Sequence, residues 1–201
     1  MSLAGYERQK LLGMLKICSR NTATALSTMV QGEVIPNMTS VLFKVMTDIF
    51  RIPKDNIVVV SDISGDLTGT MIASFTCEDG MKTINKMLGR DISIVKDLEM
   101  EEIGVLKEYI NVVGGAFLSE FGNQIGFSCY PEIPNFEGRF EEVSGVMEAQ
   151  LRALNFEILF INSTLQIMSP RAEAIFYVLF DQDSLVKIEK AIDKYQPPDE
   201  Q

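Results

Sequence analysis

Glu101 to Gly122, EEIGVLKEYINVVGGAFLSEFG, is the stretch from which the rest of the chain is read. Ile103, Leu106, Ile110, Val113 and Phe117 recur at the three-and-four spacing of one buried helical stripe. A second stripe is small and polar: Gly104, Glu108, Asn111 and Gly115 follow at steps of four, three and four, which also keeps them on one face. A carboxylate and a carboxamide therefore stand one turn apart, with a glycine above and a glycine below. Glycine within a helix costs about 1 kcal/mol relative to alanine. Gly104, Gly114 and Gly115 thus call for close packing against a neighbour, in the same fold or on another molecule. Taken alone, an i,i+3 Glu/Asn pair is usually just the solvated face of a helix.

Composition narrows the function classes. The 201 residues suffice for one sizeable domain or for two halves sharing a core. A net charge of −10 repels nucleic acid and anionic membrane, but not a protein carrying a basic patch. With no histidine, a His-ligated zinc site and a Ser-His-Asp triad are excluded. Cys18, Cys77 and Cys129 are odd in number, far apart and set among apolar or small residues, which reads as reduced, inert thiols of a cytoplasmic protein. The apolar runs fall far short of the roughly 20 residues a spanning helix needs, and the first residues lack a signal-peptide pattern. The eleven methionines mark no single groove and read as core filler rather than as a ligand pocket.

Taken in order, residues 3–30 read as a long helix, Glu33 to Thr39 as a short extended piece broken at Pro36, and Val41 to Phe50 as a helix stopped by Pro53. Ile57 to Asp62 and Met71 to Phe75 form a hairpin through Ser64-Gly65-Asp66; Asp79 caps a helix that Gly89 ends. From residue 101 the order repeats: long helix, extended segment with Pro131 and Pro134, helix from Phe140 to Leu154, strands Phe156 to Asn162 and Ala174 to Phe180, and a helix from Asp183 to Tyr195. The phrase Ile-Pro-Asn occurs at Ile35 to Asn37 and again at Ile133 to Asn135. An internal duplication explains this parallel. The expected fold is α+β, a duplicated single domain with an antiparallel or mixed sheet and two long pseudo-symmetric helices packed on one side. The halves are 1–100 and 101–196, with a disordered tail at 197–201.

Leu106 to Gly126, LKEYINVVGGAFLSEFGNQIG, resembles the signature of the CheC/CheX/FliY family of chemotaxis phosphatases, with CheC the nearest pattern. In that signature a Glu, two residues and an Asn precede a Gly-Ala-containing helix and, about two dozen residues on, a proline. Here these are Glu108, Asn111, Gly115 with Ala116, and Pro134, 23 residues past the Asn. NTATALSTMVQGEV, ISGDLTGTMIASF and IFYVLFDQDSLVKI extend the resemblance over nearly the whole chain. The family pattern is expected in both long helices, yet aligning Ala25-Leu26-Ser27 places Gly13 at the first Glu and Lys16 at the first Asn. Glycine has no side chain, and an ammonium has donors but no acceptor with which to orient a water. Gly104 also stands where relatives often carry Asp or Ser. Asn21, five residues past the expected position, reads as a surface or packing residue.

What the resemblance implies is a phosphatase with one working site in a two-site scaffold. Its substrate is the aspartyl phosphate of a CheY-type response regulator, which supplies the Mg²⁺; the chain itself holds no metal or cofactor. Asn111 holds an in-line water and Glu108 pairs with a regulator lysine, while Gly104, Gly115 and Pro134 shape the contact. The same resemblance leaves open a binding module for phosphorylated regulator, for the deamidase CheD or for the flagellar switch. A duplicated chain carries its own pseudo-symmetry and is expected to be monomeric.

Overall fold

A computed structural model describes residues 5–44, 52–90, 100–134, 136–142, 144–145 and 158–195. Among them lie four labelled helices: α1 (Gly5–Val30), α2 (Cys77–Leu88), α3 (Met100–Ile125) and α4 (Gln182–Lys194). The strands are β1 (Val34–Lys44), β2 (Ile57–Gly65), β3 (Gly69–Phe75), β4 (Cys129–Pro131), β5 (Phe136–Arg139), β6 (Ile158–Met168) and β7 (Arg171–Phe180). Every pairing is antiparallel. The sheet runs β1-β6-β7-β3-β2-β4, with β5 on the same outer edge of β2 as β4 but against its other end. The order is symmetric about the β3–β7 ladder, which runs from Gly69 opposite Phe180 to Ser74 opposite Ile175. On either side, β6 answers β2, and β1 answers β4 with β5.

The two long helices pack against each other and repeat one burial pattern. Residue n of α1 matches residue n + 95 of α3: Leu11 with Leu106, Met14 with Tyr109, Leu15 with Ile110, Cys18 with Val113, Leu26 with Phe121 and Val30 with Ile125, all buried. The helices end alike as well. Gly32 N donates to Ser27 O at 3.1 Å and Phe127 N donates to Gly122 O at 3.0 Å. Between these partners a left-handed residue turns the chain, Gln31 (φ 48°) in one half and Gly126 (φ 76°) in the other.

Aromatic contacts fix how α3 is rotated on the sheet. Phe117 meets Phe176 edge-on at 5.8 Å, Phe121 stacks on Phe180 at 5.4 Å, and Tyr109 meets Phe75 edge-on at 5.0 Å. Each fully buried ring contributes about 1.5–3 kcal/mol, and such a pair about 0.5–1.5 kcal/mol more. With that face committed to β3 and β7, the Glu108–Asn111 stripe is the one left facing outward.

Several local expectations are corrected. Residues Val34 to Lys44 form one strand, so Val41 to Lys44 is extended rather than helical; the remainder of that expected helix, 45–50, lies outside the described residues. Pro36 does not break the strand, because β1 is an edge strand and the missing N–H leaves no ladder bond unmade. Thr76, not Asp79, caps α2: its Oγ1 accepts from Asp79 N at 3.1 Å and donates to Asp79 Oδ2 at 2.7 Å. Gly89 does end α2, with φ 62°. Of the helix expected over 140–154, residues 140–142 and 144–145 are helical, and 146–154 lie outside the described residues, as do 91–99 and 196–201.

Candidate functional site

On α3, Tyr109 and Ile110 turn into the core while Glu108 is exposed and Asn111 half-buried. The three glycines divide between two roles. A Cβ at Gly114 would lie 2.5 Å from Met71 Cε and 2.7 Å from its Sδ, so this glycine lies where the end of the Met71 side chain packs between β3 and α3. At Gly104 and Gly115 a Cβ would meet nothing within 4 Å. Among the described residues the stripe with steps of four, three and four is thus open to an approaching molecule, and its glycines serve no internal contact.

Beyond Gly115 the stripe runs into a groove of about 670 Å³, bounded by Ser119 and Asn123 on α3 and by Asp66, Ser128 and Pro131 opposite. The far wall is held firmly. Ser128 N donates to Asp66 Oδ2 at 2.8 Å, Asp66 N donates to Ser128 O at 2.7 Å, and Lys187 Nζ on α4 donates to Asp66 O at 2.6 Å. Gly65 carries φ +114°, and any Cβ there would collide with Ser128 O, so the β2–β3 hairpin can close on this loop only with glycine. Glu132 N donates to Asp62 O at 2.8 Å and Ser61 Oγ donates to Glu132 O at 2.7 Å, continuing the attachment past β4. At the other end of the helix, Arg90 joins Glu101 and the buried Glu102, tying the end of α2 to the first turn of α3. Two acidic residues in that first turn also suit the positive end of the helix dipole.

The remaining sequence candidates are placed as follows. Pro134 is buried after β4, whereas the proline lying against the glycine face is Pro131, its Cβ 3.9 Å from the Cβ position of Gly114. Gly13 and Lys16 occupy the α1 positions equivalent to Glu108 and Asn111, and both are exposed. Asn21 belongs to the helix–helix contact: its Nδ2 donates to Glu120 Oε2 at 2.6 Å, while Glu120 Oε1 accepts from Gln124 Nε2 at 2.8 Å. Ser119 and Asn123 went unread in the sequence although steps of four from Gly115 reach both. Asp66 and Pro131 carry no local signal, since only the folded chain brings them to the groove.

Burial pushes the Cys129 thiol up to about 11, helped by the nearby Asp66 carboxylate, and raises Cys18 further, with Glu120 adding to the effect. Cys77 departs from the expectation of apolar surroundings: it is exposed at the first residue of α2, its Sγ 3.3 Å from Asp55 O. Among the described residues no group of three or more His, Cys, Asp or Glu is placed to hold a metal ion, and no helix is long and apolar enough to cross a membrane.

This fold, an antiparallel sheet with two pseudo-symmetric long helices, is that of the CheC/CheX/FliY-type chemotaxis proteins and of the FliM middle domain. Among solved structures, FliY from Thermotoga maritima superposes with a TM-score of 0.75 at 17% identity, over 98% of this chain and 100% of that one. FliM in its complex with SpeE from H. pylori gives 0.72 at 13% identity, over 96% and 98%. CheX in the CheX–CheY–BeF₃–Mg²⁺ complex from Borrelia burgdorferi gives 0.55 at 15% identity, over 82% and 96%. No family model matches the chain, and no curated protein does.

Proposed function

We propose that this chain is a phosphatase for the aspartyl phosphate of a CheY-type response regulator in chemotaxis signalling, with one working site, on α3, in the half formed by residues 101–196. The observation that carries this reading is the Glu108–Asn111 pair: one turn apart, accessible, and flanked by two glycines at which an added Cβ would meet nothing within 4 Å among the described residues. The likeness to CheX, which is solved together with CheY, BeF₃ and Mg²⁺, agrees in kind.

The chemistry asks little of the chain beyond position. Water attacks phosphorus, the bond to the aspartyl oxygen breaks, and inorganic phosphate and a free carboxylate remain. The Asn111 carboxamide oxygen accepts a hydrogen bond from that water and holds it in line, so the gain comes from orientation and a preset dipole rather than from a nucleophile. Asn does not titrate, so this step carries no pH dependence of its own. Glu108 pairs with a lysine of the regulator and sets the register of α3 on it; such charge-assisted bonds contribute about 1.5–3 kcal/mol. The Mg²⁺ belongs to the regulator.

The test is decay of a ³²P-labelled CheY-type regulator, with binding measured separately on its beryllofluoride-activated form. Asn111→Ala is expected to lower the rate at saturation at least about 100-fold and to spare binding. Glu108→Ala is expected to weaken binding roughly 10- to 150-fold. Full activity in Asn111→Ala would falsify the assignment. Binding without acceleration by the unmutated chain would make it a docking module for the phosphorylated regulator.

A further inference from the structure

The register that matches Leu11 to Leu106 sets Gln9, Gly13, Lys16, Arg20 and Thr24 of α1 where α3 has Gly104, Glu108, Asn111, Gly115 and Ser119. All five α1 residues are exposed. Their chemistry is inverted. Where α3 offers a carboxylate, a carboxamide and a bare glycine in succession, α1 offers a bare glycine, an ammonium and a guanidinium.

This face lowers the stability of its own helix, and no contact among the described residues offsets that. Gly13 costs about 1 kcal/mol relative to alanine, yet a Cβ there would meet nothing within 4 Å. Lys16 and Arg20 are like charges at i,i+4, a pairing that costs about 0.2–0.5 kcal/mol. Neither has an ion-pair partner among the described residues. The carboxylate that α3 turns towards α1, Glu120, is already taken by Asn21 and Gln124.

We propose that the outer face of α1 is a second docking surface, taking a short carboxylate-bearing segment of a partner protein. Arg20 can grip a carboxylate with two parallel bonds and Lys16 a second one a turn away, while Gly13 leaves room for a backbone to approach. The size of the ligand follows from screening. The stripe from Gln9 to Thr24 is about 22 Å long, and the Debye length at physiological salt is about 8 Å. A short acidic segment therefore feels the local cations, whereas a duplex or an anionic bilayer extends over the remaining surface of a chain with net charge −10.

The experiment titrates the full chain into a fluorescein-labelled twelve-residue peptide with glutamates at i,i+4, read by anisotropy at low salt. Saturable binding is expected, weakened at least tenfold by Lys16→Glu with Arg20→Glu, kept by Lys16→Arg, and unchanged by Asn111→Ala. The last variant separates this surface from the phosphatase site, whichever way that site is decided. Circular dichroism verifies that the charge-reversed chain is folded. No saturable binding, or equal binding by the charge-reversed chain, overturns the proposal. Tighter binding to a DNA duplex or to phosphatidylserine vesicles than to the peptide overturns the choice of partner.

Discussion

Tyr109 sits between Glu108 and Asn111 in sequence but belongs to the opposite side of α3, fully buried against Phe75 with no hydrogen-bond partner for its hydroxyl among the described residues. Burial alone drives that hydroxyl far above its ordinary pKa. A buried donor left unpaired costs about 1–3 kcal/mol, so Tyr109→Phe is expected to raise stability by about 1 kcal/mol and to leave dephosphorylation unchanged. A lower melting temperature in differential scanning calorimetry would show that the hydroxyl matters. At this scale the candidate pair was legible, because steps of four, three and four are visible without a structure. The division among the glycines was not: Met71, whose side-chain end fills the space beside Gly114, lies on a strand 43 residues earlier. Nor could sequence tell that Pro131 lies beside the helix.

At the level of α3 the glycines make opposing predictions. Gly115→Ala removes a helix-breaking residue from open space and is expected to stabilise the fold by about 1 kcal/mol. Gly114→Ala forces Met71 aside and is expected to destabilise it by about 1–3 kcal/mol. Urea titrations of the two variants decide this, and a stabilising Gly114→Ala would refute the packing described. If Gly115→Ala also weakens regulator binding, the open glycine is explained by the partner. Long helices were legible because a period of 3.6 residues sustained over 26 residues leaves little choice. The segment Val41 to Lys44 was misread because a short apolar run has no period of its own, and because β1 owes its strand to pairing with β6, more than a hundred residues away.

Across the whole molecule the buried thiols and phenols Cys18, Cys129, Tyr109 and Tyr177 are shifted in one direction, upwards. The folded pKa of Cys129 lies near 11 against an ordinary 9.0, and that of Tyr177 near 12 against 10.0, both from burial. The folded state thus holds protons that the unfolded chain gives up. The stability is fully present below pH 9 and is lost as pH rises from 9 through 12. Thermal melts at pH 7.5 and pH 10 are expected to show a lower midpoint at the higher pH; a rise would contradict the placement of these groups. Labelling should follow the same burial: at pH 8 a thiol reagent is expected to modify Cys77 promptly, and Cys18 and Cys129 only after unfolding. The repetition of the two halves could be read from the order of elements, but not the joint between them, since nothing local announces that β3 pairs with β7.

That joint bears on ancestry. The innermost ladder of the sheet links a strand of the first half to its counterpart in the second, so either half alone would bare the edge of β3 or of β7 at the middle of its core. The natural cover for such an edge is the matching edge of an identical half, which makes a symmetric pair of short chains the simplest forerunner of this one. Within this one chain the core positions of α1 and α3 keep a common pattern, while their outward stripes differ, Glu108 and Asn111 on one and Lys16 and Arg20 on the other.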